Sequence, residues 1–243
     1  PIITPKPVTS GLSRGDPPRT AKFDLTSLAV ADTVSVLKEA IQVTLGVRRQ
    51  RIASESFNPF TREQTSSYDE IAYTPTYGIV VKPWKRLSLY GNYIEGLYQG
   101  PTAPEGTVNA GQVFPPFVST SYEAGTKLDF GSLGFTFAAF DITQPSAFVD
   151  AATNIFVVDG EQRNRGLEFN TFGKLTNGFR ILGGVTLMEA LLVNTGTGND
   201  GNTAPGVPDV QVSLSPELDI PGVKGLTLTG RVLYSASQYY DPA

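Results

Sequence analysis

The chain contains no cysteine and no histidine. Without cysteine, neither a disulfide framework nor a thiolate metal site can form. Without histidine, Ser-His-Asp triads and the commonest metal ligand of proteins are excluded. Charged residues make up 17% of the chain against a usual quarter, and the formal net charge of -4 gives no electrostatic case for nucleic acid. These absences remove several classes of enzyme and of binding protein.

Long apolar runs are also missing, since none approaches the roughly 18 residues of a transmembrane helix. The chain instead shows apolar and polar residues in alternation. Leu226, Leu228 and Val232 alternate with Thr227, Thr229 and Arg231, and similar patterns recur between residues 119 and 190. A period of two indicates strands, because successive side chains of a strand point to opposite faces.

About ten strands are predicted from this alternation. They cover residues 23–36, 41–50, 71–81, 87–98, 122–129, a segment ending at 142, 155–172, 179–193, 207–218 and 226–240. Long polar segments lie between some of them, at residues 53–69, 99–118, 143–153 and 194–206. Residues 1–20, rich in proline, threonine, serine and glycine, are expected to form an extended loop.

The connections alternate between short, near residues 38, 84, 130, 176 and 222, and long, near residues 60, 108, 148 and 200. Short turns at one end and long loops at the other are typical of outer-membrane barrels. The strands are also longer than the five or six residues common in soluble proteins. The pattern predicts an all-β fold, a transmembrane antiparallel up-and-down β-barrel. A large soluble sandwich, propeller or solenoid is the alternative.

Two spaced motifs add a family resemblance. The first, residues 100–127, reads GPTAPEGTVNAGQVFPPFVSTSYEAGTK, with Pro101, Ala103, Asn109, Gly111, Pro115, Pro116, Glu123, Gly125 and Lys127 in the shared pattern. The second, DGEQRNRGLEF, covers residues 159–169. Tyr90 with Asn92 also matches, and residues 41–52 match more loosely. Together these segments resemble the TonB-dependent siderophore receptors of Gram-negative outer membranes.

The resemblance implies a 22-stranded barrel closed by an N-terminal plug. It implies uptake of ferric siderophores, driven by a TonB-type energy-coupling protein that grips a box near the N-terminus. The plug, that box and the final strand are not recognisable here. Residues 1–243 are therefore expected to be the middle-to-late part of one barrel domain, about ten of its strands.

The expected partners are an Fe(III)-siderophore, the coupling protein through the missing N-terminal region, and the lipid bilayer with lipopolysaccharide. Nucleic acid is not expected as a partner. No covalent cofactor, catalytic residue or metal site is expected. Asp150 and Asp200 carry oxygen ligands but match no calcium loop, and solvated turn residues explain them better.

Aromatic residues at or beyond the outer strand ends are the candidate ligand-binding set, since a bulky chelate suits aromatic walls. They are Phe57, Phe60, Tyr68, Tyr98, Phe114, Phe117, Tyr239 and Tyr240. The alternative for each is an interfacial aromatic belt, to which Trp84 is assigned at a short turn.

Charged residues predicted to face the barrel interior form a second candidate set. They are Arg48, Glu123, Lys127, Glu168 and Arg231. The resemblance implies a plug inside the barrel, and charges buried against it should be paired. We therefore expect them to contact the plug or each other, with solvation by water in the barrel as the alternative.

Two other functions stay open at this stage. One is a passive porin-like or adhesin-like barrel without a plug. The other is a soluble, β-rich scaffold at the cell surface.

Overall fold

A computed structural model describes residues 18–196 and 198–240. The described residues form one antiparallel sheet of eleven strands. The strands are β1 Ala21–Val36, β2 Ile41–Phe57, β3 Gln64–Trp84, β4 Leu87–Tyr98, β5 Phe117–Asp129, β6 Leu133–Val149, β7 Phe156–Thr176, β8 Phe179–Val193, β9 Val210–Asp219, β10 Thr227–Thr229 and β11 Val232–Ser235. Within these residues no helix is long and apolar enough to cross a membrane. The expected loop at residues 1–20 falls outside the described residues up to residue 17.

Strands β1 to β10 pair in chain order, each with its sequence neighbours, as in an up-and-down barrel wall. The two short strands β10 and β11 both pair with β9 and continue one ladder. The ladder breaks where Gly230 donates its N–H to the carbonyl of Pro216 at 3.0 Å. Pro216 has no N–H to return, so one ladder bond is missing at that point.

The register divides the sheet into two faces of opposite chemistry, because cross-strand partners share a face. On the apolar face, one row runs through Val43, Ile79, Gly91, Ala124, Ala139, Leu167 and Leu187. On the polar face, the adjacent row runs through Thr44, Gly78, Asn92, Glu123, Phe140, Gly166 and Met188. Because the sheet is a single layer, large apolar side chains such as Leu45 (58% exposed) and Leu182 (64% exposed) are exposed. Leu182 lies on the polar face, where it interrupts the alternation of β8.

The apolar face ends in an aromatic row and then in charges towards the long loops. The rings of Tyr77 and Tyr93 stack at 5.7 Å between centroids, and those of Tyr93 and Tyr122 lie 4.8 Å apart. In the same register row, Asp141 accepts hydrogen bonds from Arg165 and also from Arg163. Tyrosines followed by ion pairs mark the boundary between hydrocarbon and headgroups on such walls.

Several sequence-based boundaries were wrong, mostly by making strands too short. In the other direction, the strand predicted at 226–240 ends at Ser235, and the one predicted at 207–218 begins only at Val210. The segment 53–69 was predicted as a loop, yet β2 and β3 extend through it and leave only residues 58–63 as a loop. The segment 143–153 was predicted as a loop, yet β6 reaches Val149. The polar residues in these segments continue the ladder above the apolar band, where both faces meet water. Hydrophobic alternation fades there, although the backbone pairing does not.

All short connections lie at one end of the sheet and all long ones at the other, among the described residues. The short β7–β8 turn is possible because Gly178 adopts φ 92°. In the β1–β2 turn, Leu37, Lys38 and Glu39 all take positive φ without glycine. The long loops, described at residues 58–63, 99–116, 150–155, 194–196 and 198–209, gather at the opposite end, as predicted.

Candidate functional site: the long-loop end and the polar face

The buried part of the sheet lies at its long-loop end, where loops cover the strand ends. Tyr68 on β3 is only 4% exposed, and its hydroxyl accepts a hydrogen bond from the N–H of Gly100 at 3.1 Å. Beside it, Ser54 donates to Oε1 of Gln99 at 2.9 Å. These contacts fix the start of loop 99–116 against β2 and β3.

A second aromatic contact supports the other side of this loop. Tyr98 ends β4 and Phe117 begins β5, and the two residues are register partners. Their rings meet edge to face with centroids 5.2 Å apart, a favoured aromatic geometry. The hydroxyl of Tyr98 donates to the carbonyl of Pro145 on β6. The two aromatics therefore bind three strands together beneath the loop.

Loop 99–116 is also tied to the next long loop, residues 150–155. Asn109 uses its amide to donate to the carbonyl of Phe156 at 2.9 Å and to accept from the N–H of Phe156 at 2.8 Å. Val108 donates its N–H to the carbonyl of Asn154, whose side chain donates to that of Gly106. We call these contacts, centred on Asn109, Phe156 and Asn154, the loop tie.

The 150–155 loop is organised by one carboxylate. Oδ1 of Asp150 accepts hydrogen bonds from the N–H groups of Ala152 and Thr153, at 2.8 and 2.9 Å. Donation from Thr153, then from Ala152, holds the pKa of Asp150 below its ordinary value. The turn geometry accounts for Asp150 without a metal ion. No group of three or more acidic side chains placed to hold a metal occurs in the described residues.

The eight aromatic candidates fall into a covered and an open group. Tyr68 and Phe117 are buried, and Phe114 packs its ring 5.7 Å from that of Phe156. Phe60 is 92% and Tyr240 is 99% exposed. The remaining three candidates are the half-buried Phe57 and the exposed Tyr98 and Tyr239. All eight lie at the long-loop end, although the structure does not bring them into one cluster.

Three of the predicted interior charges lie close together on the polar face. Tyr90 donates to Oε1 of Glu123 at 2.5 Å, and Nζ of Lys127 lies 5.0 Å from the centre of the Tyr90 ring. Glu168 is in the same register row as Tyr90, with Gly125 and Ala138 between them. The lack of a side chain at Gly125 lets the Tyr90 ring cross that strand. We call Tyr90, Glu123, Lys127 and Glu168 the wall cluster.

The other two interior charges lie apart from the wall cluster. Arg48 is exposed on the polar face of β2, and Arg231 is exposed between β10 and β11. Sequence reasoning missed a stronger ion-pair group at the short-turn end. There Arg180 donates to Glu217 at 2.8 Å and to Asp219 through both terminal nitrogens. Opposite charges near the ends of two consecutive predicted strands were its only signal.

The comparisons with known proteins match this architecture. The family described as TonB dependent receptor-like, beta-barrel, matches residues 3–243. The chain belongs to the TonB-dependent receptors. The barrels of this family lie in the outer membrane of Gram-negative bacteria, and its members are receptors and transporters rather than enzymes.

Relatives of this TonB-dependent receptor chain include named siderophore receptors. The ferrichrome receptor FcuA of Yersinia enterocolitica is 41% identical over 239 residues, covering 96% of this chain and 32% of FcuA. The metal-pseudopaline receptor CntO of Pseudomonas aeruginosa is 29% identical, over 70% of this chain and 24% of CntO. The crystal structure of BauA, the ferric preacinetobactin receptor of Acinetobacter baumannii, superposes with a TM-score of 0.79 at 36% identity, over 91% of this chain and 34% of BauA.

The receptor chain spans about a third of the length of FcuA and BauA and about a quarter of that of CntO. The resemblance read from the sequence is thereby confirmed, and so is the antiparallel barrel-type fold. The sheet is open in the described residues, with β2 as the only described partner of β1.

Proposed function

We propose that the chain forms part of the single barrel domain of an outer-membrane receptor for energy-coupled uptake of ferric siderophores. The observation that carries this proposal is a long-stranded meander with one apolar and one polar face. Long loops rich in aromatic side chains lie at one end of it only. Such a wall separates lipid from an enclosed polar path, and its loops present a binding surface at one mouth. The 41% identity to a ferrichrome receptor supports the ligand class.

The eight aromatic candidates are kept in this proposal as the ligand-binding set, with different roles. Phe60, Tyr98, Tyr239 and Tyr240 are exposed and available to contact a chelate directly. Phe57, Phe114 and the two buried rings of Tyr68 and Phe117 shape and support the loops behind them. A ferric chelate with an apolar outer surface would lose water against such rings.

The polar-face charges are proposed to contact the plug domain that occupies the barrel interior. They are Arg48, Glu123, Lys127, Glu168 and Arg231. The wall cluster supports this role because its carboxylates and its ammonium group project from the same small area of the polar face. Pairing with plug side chains would compensate these charges when water is excluded. No step in this transport cycle requires catalysis.

The remaining partners follow from the same proposal. The apolar face contacts the outer-membrane lipids, with lipopolysaccharide on the side of the long loops. Release of the ligand depends on a TonB-type coupling protein, which acts on the receptor outside the described residues.

Uptake of radioactive iron tests the proposal. A strain lacking the gene should lose energy-dependent uptake of at least one ferric siderophore, and the full-length gene should restore it. Restored uptake should disappear when the coupling protein is also deleted. A passive porin-like or adhesin-like barrel would give diffusion that does not saturate and is independent of coupling. That result would overturn the proposal.

A further inference from the structure

We call the long-loop end of the sheet, with its loops and the adjoining polar face, the mouth. Within the described residues, the mouth contains few cations. From the row that contains Glu123 towards the long loops, the polar face carries Arg48 as its only cation among the described strands. Glu70 and Glu123 are its carboxylates there. The approach to β1 and the long loops add Arg19 and Arg62, against five carboxylates. Those five are Glu63, Glu105, Asp150, Asp200 and Asp209.

The rest of this part of the polar face is neutral and rich in hydrogen-bonding groups. Gln50 and Asn164 are both 8% exposed, and Gln162 donates to Oδ1 of Asn164 at 2.9 Å. Ser119 and Ser121 continue the polar face on β5. The cations that do occur near this end are mostly on the outer, apolar face. Arg163 and Arg165 there both bond to Asp141, and Arg51 pairs with Asp69.

We propose that this mouth selects ferric chelates of zero or positive net charge over strongly anionic ones. The inference rests on the proposed function and deepens it by naming the charge class of the ligand. Three hydroxamate groups, each singly negative, neutralise Fe(III). Three catecholate groups, each doubly negative, leave the complex strongly anionic.

The physical reason is the sign of the field in the mouth. Among the described residues of the mouth, seven carboxylates against three cations contribute a negative potential, which the low-dielectric walls of a barrel concentrate. An anionic chelate would meet repulsion on approach and would find few guanidinium or ammonium partners at the surface. A neutral chelate avoids this cost and can use the amide, hydroxyl and aromatic groups instead. Repulsion of the wrong ligand is an effective source of specificity.

The test compares two iron complexes on the full-length receptor in detergent. Binding is measured by quenching of intrinsic fluorescence with a neutral ferric trihydroxamate and with a ferric tricatecholate. We expect the trihydroxamate to bind at least about tenfold more tightly at low salt. Added salt should narrow the difference, since it screens the repulsion.

Charge reversal within the mouth provides the second arm. Glu70→Lys and Glu105→Lys change exposed side chains with no hydrogen bond to another described residue. Together they should strengthen tricatecholate binding several-fold and leave trihydroxamate binding within about twofold. The control is Glu39→Lys, in the short β1–β2 turn, which makes the same charge reversal as each single variant but at the opposite end. It should alter neither affinity.

The outcomes separate the two proposals. If the receptor prefers the tricatecholate, or if the double variant leaves both affinities unchanged, the charge selection is wrong while the uptake function stands. An equal effect of Glu39→Lys would also overturn it, because net charge alone would then explain the result. If the receptor binds neither complex nor any other ferric chelate, the proposed function itself fails.

Discussion

Gly125 is a residue of the polar face whose surroundings leave no room for a side chain. A Cβ at this position would lie 2.5 Å from the carbonyl oxygen of Phe137 and 2.7 Å from the hydroxyl of Tyr90. Gly125→Ala should therefore displace Tyr90 and break its bond to Glu123. We expect a loss of about 1–3 kcal/mol in the free energy of unfolding. Thermal unfolding of the detergent-solubilised receptor measures it.

Gly96 provides the matched control on the neighbouring strand. It also lies on the polar face, and a Cβ there would meet nothing within 4 Å. Gly96→Ala should be neutral or should stabilise by about 0.5 kcal/mol, through the entropy of the unfolded chain. Equal destabilisation by both changes would contradict the role assigned to Tyr90.

A second prediction at the scale of a residue concerns how the stability of the turn at Asp150 depends on pH. Because its folded pKa lies below the ordinary 3.8, its contribution to stability is fully present above pH 3.8. The contribution is lost as the pH falls through the lowered folded value. The rates of amide hydrogen exchange at Ala152 and Thr153, corrected for the intrinsic rate, should therefore rise only at acidic pH. Asp150→Asn should remove this acid step, and its persistence in that variant would assign the step to another group.

At the scale of elements, the loop tie makes two long loops behave as one. Asn109→Ala removes both side-chain bonds to Phe156, so loops 99–116 and 150–155 should loosen together. We expect faster protease cleavage in both loops and little change in global unfolding, because loops open locally. Gln112→Ala is the control, since the amide of Gln112 bonds only within its own loop. Loosening confined to loop 99–116 would show that the tie does not couple them.

The strands and loops also show how much of the fold could be predicted from the sequence. Strand order, the two faces and the ends with long loops could all be predicted, because alternation and turn residues encode them locally. The extensions of β2 to Phe57 and β6 to Val149 could not, since pairing above the membrane band is independent of apolar alternation. Asn109 was visible as a motif residue, but its bond to Phe156 joins positions 47 residues apart. Such contacts depend on register, which no local pattern contains.

At the scale of the whole molecule, the main prediction is that the apolar face contacts lipid and the polar face lines the barrel interior. Val185 and Thr186 are neighbours in the middle of β8 and lie on the apolar and the polar face. Val185→Lys places a charge in hydrocarbon and should cost about 2–4 kcal/mol of stability in a bilayer. Thr186→Lys, as the matched control, should cost at most about 1 kcal/mol.

The measurement is unfolding of the full-length receptor by denaturant in lipid vesicles, with yield in the outer membrane as a second readout. A larger penalty for Thr186→Lys than for Val185→Lys would reverse the assignment. The wall cluster would then face lipid, and the mouth described above would lie on the wrong side of the sheet.

Because β1 to β10 pair in strict chain order, each of their hairpins is a separable module. Each of these strands needs only the strand before it as a template, so the wall can be extended by one hairpin at a time. A doubling of any long loop adds only about 0.6 kcal/mol of closure entropy. New recognition surfaces can therefore evolve at one rim through insertion and exchange, while the lattice of backbone bonds beneath them stays the same.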